Sequence, residues 1–185
     1  MISLEKKKQI LMSQLKRRDI RIKVMQVLYA HEISQDPIKK VKEDLLVGIK
    51  EPENIEFANQ LVDYVLKNEK LLDAYILDKV VNWELERISI IDRLILRIGI
   101  AELMYFPDIP PKVSINEAID IAKDFCTRNS GKFVNGILDA VLDDLKKENK
   151  LNKTGRGLLN IKKKDKDIQV RDEASPKAPV KEKNI

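Results

Sequence analysis

Apolar residues recur along this chain at helical spacing, and no strand-like alternation of useful length interrupts them. Ile20, Val24, Val27, Leu28 and His31 share one stripe and predict a first helix over about residues 13–34. Asp36 and Pro37 then supply an N-cap and N1 pair for a second helix, with Ile38, Val41, Leu45 and Ile49 along one side. Pro52 opens a third segment whose spacing runs through Ile55, Ala58, Leu61, Val62 and Val65 to Leu72 and Ile76, with a break near Asn68. NWELERIS reads as a turn. Ser89 can cap a helix reaching Phe106, and its apolar residues cover most of the circumference, so this helix should be central and buried. PDIPPK stops it, because each proline removes a donor and restricts the residue before it.

Residues 111–139, PKVSINEAIDIAKDFCTRNSGKFVNGILD, predict a helical hairpin with a polar junction. Ser114 and Glu117 have the spacing of a capping box, and Ser130 can cap the following helix. Arg128, Asn129, Ser130 and Gly131 form the loop between them. Lys132, Asn135 and Asp139 follow on one helical face, while Phe133, Ile137 and Val141 occupy another. After Glu148 the periodicity fails, and Lys, Asp, Asn and Gly dominate. The expected organisation is a basic extension over residues 1–15, a helical domain over 16–148 and a disordered lysine-rich tail over 149–185. The fold class is all-α, with six or seven helices.

Composition narrows the function classes. At 185 residues and 43% hydrophobic content the chain can bury one good core. No run approaches the ~20 apolar residues that span a bilayer, and no apolar stretch suits a signal peptide, so the expected location is cytoplasmic. Cys126 and His31 are the only cysteine and histidine, which excludes zinc sites built from those residues alone and disfavours a Cys/His nucleophilic pair. Glu117, Asp120 and Asp124 are better explained as a solvated helix face than as a metal or general-base site. Gly131 and Gly136 follow no strand and make no phosphate loop; Gly136 is expected to allow close helix packing. Arg93 and Arg97 are expected in structural ion pairs. No cofactor is expected.

Charge adds a direction. Residues 1–23 carry eight Lys and Arg against two acids, residues 146–185 thirteen against six, and residues 24–145 fourteen against twenty-two. Basic ends suit a polyanion, whereas an acidic body suits a basic protein. On the first helix Arg18, Arg21, Met25 and Tyr29 share a stripe away from the apolar one, with Lys16 and Arg17 beside it and Lys6, Lys7 and Lys8 as an arm. Arginine and tyrosine on one exposed face can hold phosphates and stack on unpaired bases. An ordinary solvated face explains the same pattern about equally well.

Three segments together decide between these readings: RRDIRIKVMQVLYAHEISQ, LILRIGIAEL, and DIPPKVSINEAIDIAKDF followed by SGKFVNGILD. In these the chain resembles the NusB family of transcription antitermination proteins, over about residues 16–145. The resemblance implies two packed helical bundles and a non-enzymatic role. It implies binding of boxA RNA in ribosomal RNA leader transcripts together with NusE, a small-subunit ribosomal protein, within the antitermination complex of RNA polymerase. It places Arg17, Arg18, Arg21 and Tyr29 in the RNA-touching N-terminal motif, and Lys132 with residues 128–130 in a second RNA element, to which Asn135 is joined by its helical face. It puts Glu86 and Asp92 toward NusE. Asp19 interrupts an arginine run, and Asn129 stands where an acid is common. Homodimers occur among NusB-like proteins, and one could cover the arginine face. NusB-like domains also precede RNA cytosine methyltransferase domains, but a lysine-rich tail follows here instead. The remaining alternative is a purely protein-binding helical module.

Overall fold

The computed structural model describes residues 16–80 and 85–158, apart from the side chain of Glu86. Seven α-helices and no strand occur among them: α1 (Arg17–Ser34), α2 (Ile38–Leu45), α3 (Pro52–Lys67), α4 (Glu69–Leu77), α5 (Ile90–Tyr105), α6 (Pro111–Phe125) and α7 (Ser130–Lys147). Short 3-10 turns cover Leu85–Arg87 and Gly155–Leu158. Helices α1, α2 and α3 pack together on one side of α5, and α6 and α7 pack on the other, so α5 belongs to both bundles. Every residue from Leu94 to Leu103 on α5 is buried, as its all-round apolar pattern requires. A fully buried leucine or isoleucine contributes about 1.5–3 kcal/mol, so this shared helix anchors much of the core.

Three charged side chains on α5 fix the register of the helices around it. Asp92, in the first turn, accepts from Ser130 Oγ at the start of α7 at 3.1 Å. Arg97 donates twice to Asp73 of α4, both at 2.7 Å. Glu102 takes the guanidinium of Arg21 from α1 at 2.5 and 2.9 Å and the hydroxyl of Ser114 from α6 at 2.8 Å. Arg97 and Glu102 are paired with opposite charges and Asp92 is held by serine hydroxyls, so a shifted helix would strand these buried groups. Arg93 pairs with Glu32, so both α5 arginines have the structural ion pairs expected of them.

Several boundaries follow the sequence signals and several do not. Pro52 occupies the first turn of α3, Asn68 separates α3 from α4, and Ser89 Oγ accepts from the Asp92 amide at 3.2 Å. The second helix starts one residue late, with Pro37 at the N-cap; Asp36 instead offers its carbonyl to His31 Nδ1 and its carboxylate to Lys40. The Ser114–Glu117 capping box does not form. Proline is preorganised for N1, so α6 begins at Pro111, which places Ser114 inside the helix facing Glu102 and leaves Glu117 to α1. Ser130 is likewise inside α7, behind Asn129, and bonds Asp92 and Thr127 rather than capping the helix.

Two further expectations are corrected. A Cβ on Gly136 would meet nothing within 4 Å, so close packing does not require that glycine; Gly99 is the tight one, where a Cβ would lie 2.9 Å from Leu138. Residues 149–158 also belong to the folded body. Lys153 is buried and donates to the Glu102 and Phe106 carbonyls at 3.0 and 2.8 Å, closing the C-terminal end of α5. Thr154 N–H donates to the Pro107 carbonyl at 2.9 Å, and Gly157 passes so close that a Cβ would fall 1.9 Å from the same oxygen. The extension over 1–15 and the rest of the tail, 159–185, lie outside the described residues.

Candidate nucleic-acid interface

Lys16 stands at the N-cap of α1, and its backbone N–H donates to Asp19 at 2.8 Å. Asp19, which breaks the arginine run, therefore closes the helix end and complements its dipole. Arg17 is exposed; its guanidinium lies 4.4 Å from the centre of the Phe57 ring. Arg18 is half-buried and pairs with Glu117 at 3.3 Å and with Asp120. The bond to Asp120 holds the Arg18 guanidinium above its ordinary range, against a smaller opposing effect of burial. Tyr29 is 40% exposed.

Arg21 departs from the exposed-face reading. It is 3% exposed, turned inward onto Glu102, and Met25 behind it is buried as well. The stripe Arg18, Arg21, Met25, Tyr29 is thus covered in its middle and open only at its ends. An arginine and an acid from distant segments can neutralise each other in the core, and periodicity alone carries no sign of that pairing.

The second cluster sits at the start of α7. Arg128, Asn129, Lys132 and Asn135 are exposed, and among the described residues no ion pair engages Arg128 or Lys132. Ser130 is buried and acts as the anchor of the turn rather than as its surface. Cys126 lies nearby; burial, with Asp92 adding to it, pushes its thiol up to about 12, so it stays protonated and unreactive at neutral pH.

The two clusters meet across one turn of α6. Asp120 takes Arg18 from one side and Lys123 Nζ, at 3.1 Å, from the other; Lys123 and Arg18 together hold its carboxyl below the usual range. The stem of Lys123 then packs on Gly131, where a Cβ would lie 3.1 Å from Lys123 Cγ. Helix α1 also runs antiparallel to α5, with Arg21 opposite Glu102 and Glu32 opposite Arg93. Tyr29, one turn before Glu32, therefore lies level with the first part of α5, where Asp92 holds Ser130.

Two elements escaped sequence reasoning. Phe125 at the end of α6 is 42% exposed, and a shallow groove of about 440 Å³ along α7 is lined by Lys79, Lys132, Phe133, Gly136 and Ile137. Lys79 is held by Asp78 and Asp144, so Lys132 is the open cation beside these apolar and aromatic atoms, where phosphate and base can be taken together. The signal available was the absence of a side chain at Gly136 on the face of Lys132; it opens the groove instead of admitting a helix.

Asp92, expected to face a protein partner, is 8% exposed and turned toward Ser89 and Ser130. Its outward role is corrected to an internal one, holding the first turns of α5 and α7 together. The side chain of Glu86 lies outside the described residues. Among the described residues no helix is long and apolar enough to cross a membrane, and no group of three or more His, Cys, Asp or Glu could hold a metal ion.

The NusB family model matches residues 18–143. This chain belongs to the NusB family. The transcription antitermination protein NusB of Chloroherpeton thalassium is 45% identical over 150 residues, spanning 78% of this chain and 70% of that one. Among solved structures, T. maritima NusB superposes with a TM-score of 0.67 at 36% identity, covering 71% of this chain and 93% of that one. A chain from the crystal structure of the antitermination factors NusB and NusE in complex with dsRNA gives a TM-score of 0.60 at 26% identity, covering 69% and 96%. The all-α fold is thus the NusB fold, and NusB-family proteins are transcription antitermination factors, not enzymes.

Proposed function

We propose that this NusB-family protein binds single-stranded boxA-type RNA of ribosomal RNA transcripts together with NusE, in the cytoplasm, as part of the antitermination complex of RNA polymerase. The observation that carries this reading is the bridge at Asp120. It makes Arg18 and the turn before α7 neighbours, so a single strand could contact both. In the proposed interface Lys16, Arg17 and Arg18 supply phosphate contacts from α1, and Arg128, Lys132 and Asn135 supply them from the turn and α7. Tyr29, Phe125 and Phe133 offer ring faces to bases. Asn129 adds no carboxylate beside Arg128 and Lys132. Arg21 and Ser130 act from beneath, as the residues that hold α1 and α7 in place.

Phosphate contacts make affinity fall with salt, while stacking and base-edge contacts set the sequence preference. The basic ribosomal protein is proposed to dock on the acidic body near Glu86, with Asp92 supporting that segment from inside. A filter-binding titration at fixed salt, with boxA and scrambled RNA and with and without NusE, tests the reading. Preferential binding of boxA, strengthened by NusE, is expected. Equal weak binding to both RNAs, unchanged by NusE, would mean a protein-only helical module.

A further inference from the structure

Gly136 stands inside α7 with no reason in the fold to be glycine. Of the six glycines in the chain, Gly48 and Gly155 have positive φ, Gly157 passes against the Pro107 carbonyl, and Gly99 and Gly131 are pressed by Leu138 and Lys123. A Cβ at Gly136 would meet nothing within 4 Å, and the residue is exposed. Glycine within a helix is disfavoured against alanine, because it gives up more backbone freedom on folding. A missing side chain with no packing role leaves room for another molecule to approach the backbone.

That room is already shaped. Gly136 lies in the groove of about 440 Å³ between Lys132, Phe133 and Ile137 of α7 and Lys79 and Val80, which follow α4. Gly131 and Gly136 point about 140° apart around the helix, so α6 with its Asp120 bridge lies on one side of α7 and the groove on another. Lys79 is bound to Asp78 and Asp144, whereas Lys132 is exposed and in no ion pair among the described residues. The groove therefore offers one open cation at the edge of an apolar and aromatic floor. This combination suits one unit of an unpaired strand, with phosphate at the lysine and base on the floor. Lys132 also belongs to the turn cluster, so a strand held there by Arg128 and Lys132 reaches the groove without a break.

We propose that this groove takes one unpaired nucleotide of the RNA, its phosphate at Lys132 and its base along the α7 backbone at Gly136, against Phe133 and Ile137. The strand then runs from α1 across the turn and on toward the end of α4, further than the two clusters alone would carry it. Gly136 sets the depth of this seat. Apart from the lysines, no lining side chain can read a base edge, so the nucleotide is held whatever its base. The inference rests on the RNA-binding reading above.

Abasic scanning of a boxA RNA with a few flanking nucleotides at each end, by filter binding at fixed salt on the full chain, tests it. In the parent protein one position should lose affinity severalfold when its base is removed and little when its base is exchanged. Gly136→Leu fills the groove, so that position should no longer matter, while every other position keeps its effect. The comparison is made between RNAs within each protein, so a difference in folded fraction cancels. Urea denaturation should place Gly136→Ala at or above the parent midpoint, because no neighbour resists its Cβ. A lower midpoint would give the glycine a structural role and overturn the inference. So would a scan that Gly136→Leu leaves unchanged, or a parent scan in which every sensitive position also demands a particular base. A parent with no preference for boxA over scrambled RNA would instead sink the functional reading, and the groove assignment with it.

Discussion

Arg18 and Lys132 carry the same charge on neighbouring parts of one surface, yet their settings differ. Arg18 is clasped by Glu117 and Asp120 and only partly exposed, while Lys132 is exposed and, among the described residues, in no ion pair. Arg21, one turn from Arg18, has gone further and is wholly inside. The arginine cluster is thus chiefly a device for fixing α1 against α5 and α6, with its cationic edge at Lys16 and Arg17. The turn before α7 offers open charge on a rigidly held backbone. A phosphate must compete with two carboxylates at Arg18 and with water alone at Lys132, so equal charges need not contribute equally to binding.

The largest expected effect comes from confusing the two settings. Arg21→Ala leaves Glu102 buried without its cation, and such a loss costs about 3–5 kcal/mol. Urea denaturation should show a large drop in midpoint, and RNA affinity per folded molecule should change little. A well-folded Arg21→Ala protein with a selective RNA defect would instead restore Arg21 to the surface and break the comparison. Next in size, Arg128→Ala with Lys132→Ala should lower boxA affinity about tenfold or more and reduce the salt dependence by nearly two phosphate contacts, with no change in the denaturation midpoint. An unaltered salt slope would remove the turn from the interface.

Why the sequence told these regions apart so poorly is clear from particular residues. Helix spans, the central position of α5 and the ion pairing of its arginines were legible, because periodicity and capping chemistry act locally. So was the resemblance that gave the fold. Three features were not. Arg21 looked like Arg18 because both lie off the Ile20–Val24–Val27 stripe, and nothing local announces an acid 81 residues away. Ser114 and Glu117 have capping-box spacing, but Pro111 starts the helix sooner. Lys153 sits in a lysine-rich, aperiodic stretch, so its burial under the α5–α6 loop depends on carbonyls at Glu102 and Phe106 that only the fold brings near.

Asp120→Asn sharpens the comparison from the other side. It removes one partner from Arg18 and from Lys123, making the first cluster more like the second. BoxA affinity should rise severalfold at low salt, and the gain should shrink as salt is raised. Lower affinity would show that the bridge positions these cations productively rather than competing for them.

The smallest effect concerns the strap that follows α7. Lys153 is a cation held by carbonyls inside the body, the opposite extreme from Lys132. Burial brings its ammonium down to about 8, although Glu102 and Asp108 pull the other way. In the unfolded chain the same group keeps its proton to about 10.4. Between those values the unfolded state binds the proton that the folded state has released, so stability should rise as pH is raised from about 8 toward 10. Below about 8 both states are protonated and this dependence vanishes. Lys153→Met keeps most of the side-chain volume but removes the titrating group and its two bonds to carbonyls. It should lower the denaturation midpoint modestly and flatten this limb of the pH profile, measured as the difference between the two proteins so that other groups cancel. Parallel profiles for the two proteins would mean that Lys153 retains its proton in the folded state, and that the carbonyls at the end of α5 hold a charge as firmly as solvent does.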